Sequence, residues 1–149
     1  MKKLITTILI VLPLFIIGQE QKKNFCDCEE LTMKGKTGKA AYLKKKPFSG
    51  ICLKKNEKDI VLEQRSYFNA QLTGETKIFN PTGQLIELIT FSHNLKNGQY
   101  KLYNEKGLLI IEGKFQNNLK QGEWKFYSDS TGELEKSVLY ERGNEKNSR

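Results

Sequence analysis

Gly50, Gly74, Gly98 and Gly122 stand 24 residues apart, three intervals in succession. Phe79, Tyr103 and Tyr127 keep the same interval, as do Tyr67, Phe91 and Phe115, with Tyr140 following one residue late because the preceding turn carries an extra residue. A fixed period between about 20 and 50 residues is the mark of a repeat architecture, in which each unit buries its surface against its neighbours. This spacing therefore constrains the fold more tightly than any other feature of the chain.

Within a unit the residues alternate. In GEWKFY, Trp124 and Phe126 fall on one side of an extended strand, and Glu123, Lys125 and Tyr127 on the other. Thr76 and Ile78, then Tyr100 and Leu102, take the inner slots of the earlier copies. A second segment places Leu85, Ile89 and Phe91, then Leu109, Ile111 and Phe115, then Leu134, Val138 and Tyr140, at spacings of two or four, which predicts a common apolar face. The short connectors NPTG, NEKG and DSTG carry turn chemistry, with Gly83, Gly107 and Gly132 available for a left-handed conformation. The longer connectors FNAQLTG, FSHNLKNG and FQNNLKQG read as loops. No helix-sized period is present. The expected product is all-β, an antiparallel meander of about eight strands.

The chain divides into four parts. Residues 1–18 begin with Lys2 and Lys3 and continue as an apolar run from Leu4 to Ile17, the order of a secretory signal peptide. Fourteen helical residues span only about 21 Å of a hydrocarbon core of about 30 Å, and Pro13 interrupts them, so a permanent transmembrane helix is the weaker reading. The expectation is an exported protein, periplasmic, envelope-associated or secreted. Residues 19–47 read as a polar, lysine-rich leader or cap, residues 48–144 as the repeat domain, and 145–149 as a polar tail. The GKTGK of residues 35–39 lacks the four-residue spacing of a phosphate-binding loop.

The formal charge of +8 falls to +6 without the first 18 residues, and the excess sits between Lys34 and Lys58, where nine lysines face the single acid Glu57. Such a stretch suits an anionic membrane or envelope surface, or serves to keep an exposed region soluble. Nucleic acid is not expected as the partner of an exported chain. The cysteines Cys26, Cys28 and Cys52 allow one disulfide, between Cys52 and either Cys26 or Cys28. A metal centre would need about four ligands, and the single histidine, His93, lies far from the cysteines, so no metal or other cofactor is expected.

Catalysis is not expected either. His93 occupies a connector position filled by Asn117 in the next copy, and Glu75 and Glu123 recur with Gln99 between them, as solvated strand positions do. Binding is the better class. Strands of successive units are separated by one intervening strand, which sets Lys77, Lys101 and Lys125 in a row at about 9 to 10 Å, with Phe79, Tyr103 and Tyr127 in a parallel row. Cations and rings so arranged suit an unidentified protein partner, or simply maintain a soluble outer face. Two free edge strands leave the oligomeric state open.

GEWKFY, the G-x-L after the turn, and KFQNNLKQGEWKFY resemble the bacterial variant of MORN (membrane occupation and recognition nexus) repeats, as found in proteins labelled toxin-antitoxin system YwqK family antitoxins. The resemblance covers about Phe48 to Asn144, strongest in the three copies where glycine, aromatics and turn coincide, and departing in the first, where Lys55 stands in the slot of Phe79. It implies a non-enzymatic interaction or scaffolding module. The antitoxin label implies an alternative, binding and neutralising a toxin, which an export signal fits poorly.

Overall fold

The computed structural model describes residues 24–146, so the expected signal peptide and its cleavage point lie outside the described residues. Eight antiparallel strands run in sequence order: β5 (Gly50–Lys55), β6 (Val61–Phe68), β7 (Gln71–Phe79), β8 (Leu85–Ser92), β9 (Leu95–Tyr103), β10 (Leu109–Gln116), β11 (Leu119–Tyr127) and β12 (Leu134–Glu141). Each hydrogen-bonds to the next, as the alternation of the sequence requires of a meander. Two short strands extend this sheet to ten: β1 (Phe25–Asp27), parallel to β5, and β13 (Asn144–Glu145), antiparallel to β12. The stretch read as leader or cap continues with a 3-10 turn (Cys28–Glu30) and a second small sheet of β2 (Thr32–Lys34), β3 (Ala40–Leu43) and β4 (Lys46–Pro47).

The periodic glycines mark a bulge in each unit. Between Arg65 and Tyr67 the β6 strand advances two residues, while its partner advances four, from Thr76 to Leu72. The same slip recurs where Ile89 and Phe91 face Tyr100 and Lys96, and where Glu112 and Lys114 face Lys125 and Gln121. Gly74, Gly98 and Gly122 lie inside these slips with φ of 99°, 125° and 74°, a region open to glycine and costly for residues with a Cβ.

The connectors alternate between two kinds. At the short end Asn80 caps its own turn: its carbonyl oxygen accepts from Gly83 N at 2.9 Å, and its side-chain Oδ1 accepts from Thr82 N and Gln84 N. Asn56 and Asn104 repeat the arrangement. In the fourth copy Ser128, rather than Asp129, takes the asparagine slot, and Asp129 is part of a turn lengthened by one residue. The connectors expected as loops are two-residue hairpin turns with positive φ at both residues: Asn69 and Ala70, His93 and Asn94, Asn117 and Asn118. Asn94 also binds the preceding unit, its N–H donating to Leu72 O and its Oδ1 accepting from Leu72 N at 2.8 Å; Asn118 does the same to Lys96.

The common apolar face is corrected at one position per unit. A register slip at the end of each hairpin sets Leu85, Leu109 and Leu134 opposite Phe79, Tyr103 and Tyr127, away from the row that carries Ile89 and Tyr100. The sheet is largely a single layer. A cluster of buried residues, Ala41, Phe48, Cys52 and Tyr67, sits where the small sheet folds over the first repeat, with Leu31, Leu43 and Leu72 packed against it. There the open disulfide choice resolves to Cys28–Cys52, with Cα atoms 4.9 Å apart, and leaves Cys26 as a free thiol. Burial, assisted by Glu30 and Asp27, pushes that thiol up to about 11.

Candidate binding face

The two faces of the sheet carry different chemistry. On one, cross-strand partners set Gln64, Lys77, Leu88, Lys101, Glu112, Lys125 and Ser137 in a single row. The three lysines thus lie in one line, but Leu88 and Glu112 interleave them. Lys77 pairs with Glu75 at 3.0 Å, and Lys125 lies between Glu112 at 3.7 Å and Glu123 at 3.9 Å. Lys101 has no carboxylate within salt-bridge distance among the described residues. One turn along the strands, the partnered residues are Phe79 with Leu85, Tyr103 with Leu109, and Tyr127 with Leu134. Their rings do not stack on one another; Tyr127 instead donates to Glu112 Oε1 at 2.7 Å, and that bond, with the nearby acids, pushes its hydroxyl up to about 12.

A cleft of about 460 Å³ opens on this face between β9, β10 and β11, around Glu112, Gly113 and Lys114. Its floor is set from behind. At Gly113 a Cβ would collide with the indole of Trp124 on the opposite face, so only glycine admits that ring. Gly113 falls outside the 24-residue glycine series and was not legible as a site; the signal was its place in the slot that Ile89 fills one unit earlier.

The opposite face holds the aromatic side chains. Trp124, 2% exposed, stacks on Tyr100 with centroids at 5.4 Å and meets Phe115 and Tyr140 edge-on at 5.0 and 6.2 Å. Its indole N–H donates to Lys114 O at 3.1 Å. No second protein layer covers these rings in the described structure; lysines do. Lys120 Nζ lies 4.5 Å from the Trp124 centroid, 4.6 Å from Tyr140 and 5.8 Å from Phe126, Lys136 lies 4.9 Å from Phe126, and Lys96 lies 5.1 Å from Phe115. Ammonium groups over ring faces are attracted by the ring quadrupole, and the lysine stems shield apolar surface from water. Lys96 and Lys120 are themselves 24 residues apart, in the slot of Leu72, so their place over the rings was marked in the sequence by the same period as the glycines. Phe91 lies in the same ladder level, opposite Gly74 and Lys96.

His93 sits exposed at the first position of a hairpin turn, its Nδ1 2.9 Å from the Ser92 hydroxyl. Among the described residues no group of three or more His, Cys, Asp or Glu side chains is placed to hold a metal, and no helix is long and apolar enough to cross a membrane. No family model matches the chain, and comparison with curated proteins and with solved structures finds no match.

Proposed function

We propose that the protein is an exported, non-enzymatic MORN-type repeat scaffold whose lysine-bearing face holds a protein partner. The observation that carries this reading is the row of Lys77, Lys101 and Lys125 on an uncovered sheet face, its members repeated at equivalent strand positions. A hydrogen-bonded sheet holds such a row in fixed register, so a partner meets several charges at once without having to order them, which lowers the entropic cost of association.

The mature chain, residues 19–149, fixed to a resin and exposed to a detergent-solubilised envelope fraction of its own organism, tests the reading by quantitative mass spectrometry. One dominant retained protein is expected, and its loss from a Lys77→Glu, Lys101→Glu, Lys125→Glu chain of unchanged circular dichroism. Retention no different from a charge-matched control overturns it. A second reading, attachment to an anionic surface, is favoured by Lys34, Lys36, Lys39, Lys44, Lys45 and Lys46, all exposed on the small sheet and its turns. Salt-sensitive binding to vesicles containing anionic lipid, lost when these six are neutralised, is its mark.

A further inference from the structure

We propose that the cleft between β9, β10 and β11 receives a single acidic side chain of a protein partner, its carboxylate held between Lys101 and Lys114. This rests on the partner-binding reading above and assigns it a place and a ligand chemistry.

The charges in the cleft are not equivalent. Glu112 accepts from the Tyr127 hydroxyl at 2.7 Å and pairs with Lys125, which Glu123 also engages at 3.9 Å. That network satisfies its own members. Lys101 and Lys114 stand outside it: among the described residues neither has a carboxylate partner, and Lys114 is exposed. On the ladder Lys114 faces Gln99 on one side and Gln121 on the other. Gln121 accepts from Arg142 N at 3.0 Å through its Oε1, which fixes the amide and leaves its NH₂ group as a donor. Two unmatched ammonium groups and an oriented amide donor therefore line one concavity, the donor set that a carboxylate accepts from.

The neighbouring unit shows that the fold does not require this lining. Twenty-four residues earlier, Leu88 and Thr90 stand where Glu112 and Lys114 do, and Ile89 where Gly113 does, on an equivalent strand with an equivalent bulge. Strand formation and solubility are served there without the polar set. The cleft is also backed by Trp124, the most enclosed large side chain among the described residues, so its floor is rigid.

Glu112 and Glu123 select among anions. A polymer with a charge on every unit would bring its next charges against them, at a cost in like-charge repulsion, whereas a peptide presents one carboxylate flanked by uncharged amides that carry no such cost. The volume of about 460 Å³ suits one side chain with its adjoining backbone.

The test is an NMR titration of ¹⁵N-labelled residues 19–149 with the peptide acetyl-GSGEGSG-amide, its glutamine counterpart and polyphosphate. The glutamate peptide is expected to shift Gln99, Lys101, Gly113, Lys114 and Gln121, with affinity at least fivefold weaker in the Lys101→Gln, Lys114→Gln chain and unchanged in Lys106→Gln, an exposed turn lysine outside the cleft. Equal shifts from the glutamine peptide, shifts centred on the lysines of residues 34–46, or tighter binding of polyphosphate at the cleft overturn the assignment. On the resin, a partner retained at wild-type level by the Lys101→Gln, Lys114→Gln chain overturns the cleft and leaves the partner-binding reading in place. A wild-type resin that retains nothing, with the peptide still seated at these five residues, does the reverse.

Discussion

Trp124 fills the strand slot that Thr76 and Tyr100 occupy in the two preceding units, and the enlargement of that side chain reorganises everything near it. Opposite it the chain gives up a side chain at Gly113; beside it Tyr100, Phe115 and Tyr140 close around the indole; above it lies Lys120. Burial to 2% exposure in a single-layer sheet is achieved by neighbours on the same face. Trp124→Ala is expected to cost about 3 to 5 kcal/mol, the range for truncating a buried aromatic, measured as a shift of the urea midpoint. Phe126→Ala, which removes a half-buried ring resting under Lys120 and Lys136, is expected to cost less. An equal or smaller loss at Trp124 would mean that the aromatic cluster does not hold this half of the sheet together. The alternation of GEWKFY placed both residues on the aromatic side, but not the difference between them. That difference comes from the register slip at each bulge, which determines which lysine lies over which ring, and local alternation contains no cross-strand register.

At the scale of strands and turns, the glycine period was legible as a repeat while its physical cause was not, because a bulge is a mismatch between two strands and a single strand's sequence shows only one side of it. The glycines nevertheless differ. At Gly98, φ is 125° and a Cβ would stand 2.8 Å from Thr90 Cβ; at Gly122, φ is 74° and nothing lies within 4 Å of the added atom. Gly122→Ala should therefore lose about 1 to 2 kcal/mol through the left-handed backbone alone. Gly98→Ala should lose more, because the backbone term is joined by a collision with a β-branched side chain that cannot swing away. Thermal or urea melts of the two variants check the order, and equal losses would show that β8 and β9 slide apart at little cost. The hairpin turns at the other end carry no turn signal in the sequence, because their Asn-Ala, His-Asn and Asn-Asn pairs contain no glycine. Asparagine tolerates the left-handed region, and two successive residues there close a hairpin as tightly as Asn-Gly does. The three-residue β1 was beyond sequence periodicity altogether, since its parallel pairing with β5 is fixed by the chain on either side of it.

For the whole molecule, the two ends of the sheet are unlike. The first repeat is covered by the small sheet, with a buried cluster and the Cys28–Cys52 bridge, whereas β12 is flanked among the described residues by only the two residues of β13, and Leu134 and Leu139 there are 55% and 54% exposed. Repeat sheets of this kind are close to one-dimensional: each unit contacts its neighbours, and stability is a sum of unit and interface terms that need not fail together. The bridge closes a loop of 24 residues, which in the chain-entropy model stabilises by about 3 kcal/mol. Its effect should be felt where it is tied, at the junction of the small sheet with β5 and β6. Treatment with a phosphine reductant is expected to lower the melting temperature and, under native conditions, to accelerate amide exchange in β1, β5 and β6, while the amides of β10 and β11 around Trp124 keep their protection. The free thiol of Cys26 does not complicate the experiment near neutral pH: its ionisation is displaced up to about 11, so it remains mostly a thiol and a poor nucleophile. Uniform acceleration across all strands would show instead that the sheet opens as one cooperative body, with the cap and the aromatic cluster holding a single structure. Protection retained in β10 and β11 would mean that the cleft outlasts the cap, as a binding site set on the aromatic half of a segmented scaffold should.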